Sequence, residues 1–357
     1  MSFSGIPKAF KRGISPQTPK KIESVEKRHF NLESSSVDIE ARLFSPENRV
    51  EGKAIIFFPG WSMGVESTST TLLAESLSKE SASDTYALTA RLEERGKAQA
   101  EDPLYEEAQA VAEYIKEKNL TDITLVGHSQ GGDRAVTLTA LLQKNSNITV
   151  SGLILINPVG MYEQGSAELV RKFTGNYVYT GVSVAKEIAT SQKKGVAAIT
   201  PALQASTDVV RGIAKEVGTS RLQYASRFRS EVGEMAQKNK HAQEITVPIV
   251  IVTGMSDSVS DASRIVPTDQ VETLKDSLGE VAKANATAEV PQRDTTLRAR
   301  EAHLQESLFP KSPYVRMLVP EKLGVHALPF LRPESVAKTS LYMLERFKRN
   351  TAGGKTP

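Results

Sequence analysis

The segment Ala54-Ile55-Ile56-Phe57-Phe58 constrains the fold more than any other stretch of the chain. It is apolar without interruption, too short for a helix, and stopped by Pro59-Gly60. Such a run suits a strand buried on both faces, the kind found inside parallel sheets. The same strand type recurs at residues 123–126, 153–156, 247–252 and 315–319. Helical patterns lie between these runs. Asp102 can cap a helix whose first position is Pro103, and Leu104, Ala108, Val111, Ala112 and Ile115 then share one face until Asn119. Residues 130–144 carry Ala135, Leu138, Leu141 and Leu142 on one face, and residues 333–348 form a last helical pattern. Strands alternating with helices predict an α/β fold with a mostly parallel central sheet flanked by helices. Residues 29–44 alternate through Val37, Ile39, Ala41 and Leu43, the period of one half-buried strand ahead of that sheet.

The alternation stops twice. Residues 161–245 hold no buried-strand run and are rich in Ala, Lys, Glu and Gln, which predicts a helical cap inserted between two sheet strands. A second, looser insertion spans residues 263–312. The core is therefore expected at residues 29–160 and 246–349. Residues 1–28 carry seven Lys/Arg against two Glu, three prolines and no apolar period, and read as a flexible basic leader. Residues 350–357 read as a flexible tail. Because the formal net charge is only +3 and both ends are basic, the body between them is acidic. That distribution argues against nucleic acid as a partner, since a nucleic-acid binder gathers its basic residues on a folded face. Contact with a membrane surface through the leader is the alternative to a solvated tail.

The chain has no cysteine, which excludes disulfides, thiol nucleophiles and Cys-ligated zinc or iron–sulfur centres. Five His leave little for a His-rich metal site, so no metal and no organic cofactor is expected. No run approaches the roughly 20 apolar residues of a spanning helix, and residues 1–8 lack the apolar core of a secretory signal. The expected location is the cytoplasm.

The chemistry concentrates in Leu125-Val126-Gly127-His128-Ser129-Gln130-Gly131-Gly132, where an expected strand runs straight into an expected helix. Gly127, Ser129 and Gly131 make the pattern G-x-S-x-G. A nucleophile raised on a sharp strand-to-helix turn needs small neighbours, because side chains there would collide with adjacent elements. The helix N-terminus also directs N–H groups and its dipole at developing negative charge. His128 is expected to pack away from Ser129, and Asp133 and Arg134 to form a local helix pair.

With this motif between strand and helix, residues 54–347 outside the insertions resemble the α/β-hydrolase fold family of serine esterases and lipases. The resemblance implies a triad in the order Ser, acid, His. Downstream of Ser129 lie His241, His303 and His326; the loop after the last strand, where the family carries its base, holds His326. The strand at 247–252 runs into Thr253-Gly254-Met255-Ser256-Asp257, and the family's acid three residues after a Gly corresponds to Asp257, with Asp261 as the alternative. Phe58-Pro59-Gly60-Trp61 resembles the family's oxyanion loop with Pro in place of the usual His, which implies backbone N–H donors at Trp61 and Gln130. The implied activity is hydrolysis of a carboxylic ester or related acyl bond of a small, apolar substrate through an acyl-enzyme. C–C bond hydrolysis or acyl transfer on the same triad, or a non-catalytic ligand-binding protein of this fold, are the alternatives.

Overall fold

The computed structural model describes residues 19–22, 24–33, 35–60, 63–94, 102–144, 147–161, 240–253, 257, 260–261, 264–265, 295–318 and 333–352, together with positions 168 and 172. Among these, nine strands form one sheet: β1 (Pro19–Ile22), β2 (Glu26–Asn31), β3 (Ser35–Pro46), β4 (Lys53–Phe58), β5 (Asp84–Glu94), β6 (Asp122–His128), β7 (Thr149–Ile156), β8 (Ile249–Val252) and β9 (Val315–Leu318). The order across it is β1-β3-β5-β4-β6-β7-β8-β9, with β2 also on β3. Pairing is parallel from β5 through β9 and antiparallel where β3 meets β1, β2 and β5. The helices are α1 (Thr68–Ser81), α2 (Pro103–Glu117), α3 (Gly131–Gln143), α4 (Thr295–Ser307) and α5 (Pro333–Ala352).

The continuous apolar runs are continuous because the sheet is covered on both sides. Ile56, Phe58, Leu125, Leu153, Leu155, Ile249 and Ile251 enter one core with the inner residues of α2 and α3. Their immediate neighbours Ile55, Phe57, Val126, Ile154, Ile156, Val250 and Val252 enter a second core under α1 and α5. Alternate residues of one strand thus serve opposite layers, and each fully buried aliphatic side chain contributes about 1.5–3 kcal/mol.

Local signals end the elements where expected. The Asp102 carboxylate accepts the Tyr105 N–H at the start of α2 (3.1 Å), and Asn119 takes a left-handed φ of 54° just past its end. Three expectations need correction. The alternating stretch at 29–44 is not one strand but the hairpin β2–β3, closed where Leu32 N–H donates to the Ser35 carbonyl. The leader does not stay apart up to residue 28, since β1 and the start of β2 pair with β3. At the other end α5 runs to Ala352, into the expected tail. The bulk of the expected cap, the remainder of the leader and residues 353–357 lie outside the described residues. Two elements had no clear sequence signal. Strand β5 mixes Ala, Leu and Glu among Thr, and α1 buries Ser69, Thr70, Ser76 and Ser78 beside only Leu73, Ala74 and Leu77.

Two contacts fix how chain segments reach the site. Ile249 N–H donates to the Tyr314 carbonyl and Thr253 N–H to that of Leu318, so even-numbered residues of β9 face β8. The Met317 N–H therefore points to the open edge, where the Glu301 carboxylate of α4 accepts it at 3.0 Å and pairs with Arg316 at 2.5 Å. At the start of α2, Asp102 also receives Lys240 (2.8 Å) and His241 (3.1 Å), whose ring stacks on Tyr105. Burial raises the Asp102 carboxyl, but these donors outweigh it and hold the group below its ordinary 3.8. A lowered folded-state value contributes stability above pH 3.8 that is lost as pH falls through the folded value. Asp102→Ala should cost about 1–2 kcal/mol at pH 7, and the gap to the parent protein should narrow below pH 3.8. Urea melts of both proteins at pH 7 and pH 3 measure it.

Candidate active site

The sheet register aligns the ends of five strands. Phe58 lies beside Gly127, His128 beside Ile156, Ile156 beside Val252 and Val252 beside Leu318. One step past this row stand Pro59-Gly60, Ser129, Asn157 and Thr253. The chain visits β5 on one side of β4 and then β6 on the other, so the row crosses the point where strand order reverses. Open α/β sheets bind ligands in the crevice at such a point.

Ser129 sits between β6 and α3 with φ 53°, a left-handed conformation that costs a non-glycine residue about 1–2 kcal/mol. The turn is over-determined by its bonds. Ser129 N–H donates to the Ile156 carbonyl at 2.9 Å, and its own carbonyl accepts Gly132 N–H at 3.0 Å and Val159 N–H at 3.4 Å. Space decides the glycines. A methyl group at Gly131 would collide with the Phe58 carbonyl and come within 2.6 Å of the Pro59 carbonyl oxygen. One at Gly127 would meet the Gly131 carbonyl and lie 2.6 Å from Gly132 Cα. On the neighbouring strand end, a methyl at Gly60 would stand 3.1 Å from Ser129 Cβ and 2.9 Å from His128 Nδ1. The loop after β4 therefore lies directly on the turn that carries Ser129.

Asp257 follows β8 and is 1% exposed. Its Oδ1 accepts the Ser260 N–H at 3.0 Å. Asp261 is half-buried, without that depth. His128 is buried with its ring against Gly60, in keeping with a packing role. Arg134 reaches Glu107 of α2 at 2.8 Å. His303 lies on α4, its imidazole depressed below the ordinary value by burial. His241 belongs to the Asp102 cluster described above. His326 and Trp61 lie outside the described residues. The structure thus brings Ser129, Gln130 and Gly60 together and buries Asp257 at the end of β8. Sequence reasoning missed the braces Asn157 (φ 44°), Thr253 and Ser260; the Asn-Pro pair at a strand end was the one available signal. Among the described residues, no group of three or more His, Asp or Glu could hold a metal ion, and no helix is long and apolar enough to cross a membrane.

A parallel sheet covered on both faces, with a serine on a strained turn after β6, defines an α/β-hydrolase. Residues 89–284, more than half of the chain, match the family model of the S33 serine aminopeptidases, and the protein belongs to this family of hydrolytic enzymes. No curated protein matches it. Among solved structures, an esterase from Pyrococcus furiosus is similar at 10% identity, covering 94% of this chain and 99% of that one with a TM-score of 0.51. A probable hydrolytic enzyme from Pseudomonas aeruginosa is similar at 11% identity over 90% and 93% of the two chains, with a TM-score of 0.49. At such identity the Pyrococcus likeness speaks for the fold.

The packing carries its own test. Gly131→Ala should destabilise the protein by about 3 kcal/mol or more, because backbone carbonyls leave the methyl no room. Ser129→Ala keeps the turn's backbone and removes one hydroxyl, so its melting temperature should stay within about 2 °C of the parent. Thermal denaturation of the purified variants measures both.

Proposed function

We propose that the enzyme cleaves a carboxylic ester or related acyl bond through Ser129, His326 and Asp257. The observation that carries this reading is Ser129 itself, held at a left-handed φ of 53° with the Gly60 loop against its side chain. In this mechanism Ser129 Oγ attacks the acyl carbon and His326 takes its proton, then returns it to the leaving group. Asp257 orients the imidazole and stabilises it when charged, and its depth at the β8 end favours it over Asp261. Gln130 is the N-cap residue of α3, at the end of the helix whose dipole favours negative charge. With the N–H of Trp61, that of Gln130 would stabilise the tetrahedral oxyanion. Water then resolves the acyl-enzyme.

The substrate in this reading is a small apolar acyl compound, consistent with the esterase activity named for the Pyrococcus neighbour. The family's own description favours a second reading, release of an N-terminal residue by attack on an amide, which the same residues would catalyse. Residues 161–245, entering after β7 beside the row of strand ends, would cap the acyl pocket. The absence of cysteine is compatible with a reducing, cytoplasmic setting.

Labelling with a serine-directed fluorophosphonate tests the nucleophile: the parent should react and Ser129→Ala should not, whereas a non-catalytic pocket leaves both unlabelled. Asp257→Asn should lose about 10³–10⁴ in turnover of a chromogenic ester, as when a triad carboxylate is neutralised. Asp261→Asn should lose less than about tenfold, the effect of a disturbed loop. Comparing an acyl ester with an aminoacyl amide as substrate separates the two readings. A severe loss in Asp261→Asn beside a near-normal Asp257→Asn reverses the choice of acid.

A further inference from the structure

Thr253 is the first residue past β8, fully buried, and bonded in two directions. Its N–H donates to the Leu318 carbonyl at 3.0 Å, extending the β8–β9 ladder by one rung. Its Oγ1 donates to the Ser260 carbonyl at 2.7 Å, across seven residues of chain. Ser260, also buried, presents the opposite end of its backbone to the acid: its N–H donates to Asp257 Oδ1 at 3.0 Å. The three residues form a closed clasp. The hydroxyl holds the Ser260 carbonyl, Ser260 holds the carboxylate, and the main chain of Thr253 is locked to the sheet.

We infer that Thr253 is a positioning residue for the triad acid, acting through the backbone of Ser260 to fix the Asp257 carboxylate in one orientation. The inference rests on Asp257 being the acid, as proposed above. The physical reason is geometric. A carboxylate that orients an imidazole must stay within a few tenths of an ångström and 10–20° of its working position, and groups on a loop meet that demand only when a second layer of hydrogen bonds holds them. Here the side chain of Thr253, anchored on a strand end, contributes to that layer. Removing Oγ1 takes this donor from the Ser260 carbonyl in a buried setting and loosens the hold of Ser260 N–H on Asp257. Asp257 then keeps its charge but not its aim. Thr253 touches neither substrate nor reacting atoms in this scheme, so its effect must appear through the imidazole.

The experiment compares Thr253→Val, Thr253→Ala and Thr253→Ser on one small chromogenic ester. Val and Ala remove the hydroxyl and should lower kcat about 10–30-fold, an effect of misplacement rather than loss of a catalytic group, with KM within twofold. A badly aimed carboxylate stabilises the imidazolium less, so the acid limb of the kcat/KM profile should move to lower pH. Ser restores the hydroxyl and should recover most of kcat and the parent pH limb. In an Asp257→Asn background, Thr253→Val should add little further loss, because residues acting as one unit are not additive. Parent-like kcat and pH limb in Val and Ala overturn the inference, as does a loss that Ser fails to rescue or failure of both hydroxyl-free variants to fold. A near-normal Asp257→Asn overturns the choice of acid itself, an outcome distinct from a severe Asp257→Asn beside an unaffected Thr253→Val.

Discussion

The near-contact between Gly131 and the carbonyls of Phe58 and Pro59 sets the spacing from which the site follows. It joins the end of β4 to the first turn of α3 with no side chain between them. Because that distance is short, the Gly60 loop can lie on Ser129, and the start of a helix can stand beside the same hydroxyl. A larger residue at 131 would push α3 outward and separate Ser129 from the Gly60 loop. Protein interiors are too tightly packed to absorb such a displacement locally. Here sequence, packing and chemistry meet at one atom pair.

Beyond that contact, the residues of interest are held by continuation of the sheet's own hydrogen bonding. Ser129 N–H bonds to Ile156, Asn157 N–H to Val252 at 2.6 Å, and Thr253 N–H to Leu318. Each is one rung past its strand, and together they step across β6, β7, β8 and β9. The left-handed turns at Ser129 and Asn157 are where the chain leaves this ladder. Strain is tolerable there because the N–H of each of these residues is held by the neighbouring strand. The far edge is closed by Glu301, which gives Met317 an acceptor where another strand would otherwise provide one.

What could be read from residues alone follows from what was doubly buried. The runs at 54–58 and 153–156 announced themselves because both layers demand apolar neighbours at successive positions. Strand β5 did not, since its identity comes from pairing with β3 and β4 rather than from its own composition. The boundary at residue 28 failed for a related reason: Lys27, Arg28 and His29 in β2 look like solvated chain, and their exposed side chains are compatible with an edge strand that joins the sheet through its backbone. In the site, Ser129 was legible because glycines at fixed spacing leave a local signature. Thr253 and Ser260 were not, because their roles depend on a backbone carbonyl and a backbone N–H, which every residue carries.

Ile156 and Val252 are side by side in the ladder though roughly a hundred residues apart along the chain, and the cost of closing so long a loop rises only about 0.6 kcal/mol per doubling of its length. The distance from the end of β7 to the end of β8 is set by strand pairing, not by what is threaded between them. The length of the intervening segment can therefore change while Asn157 and Thr253 stay where the sheet holds them.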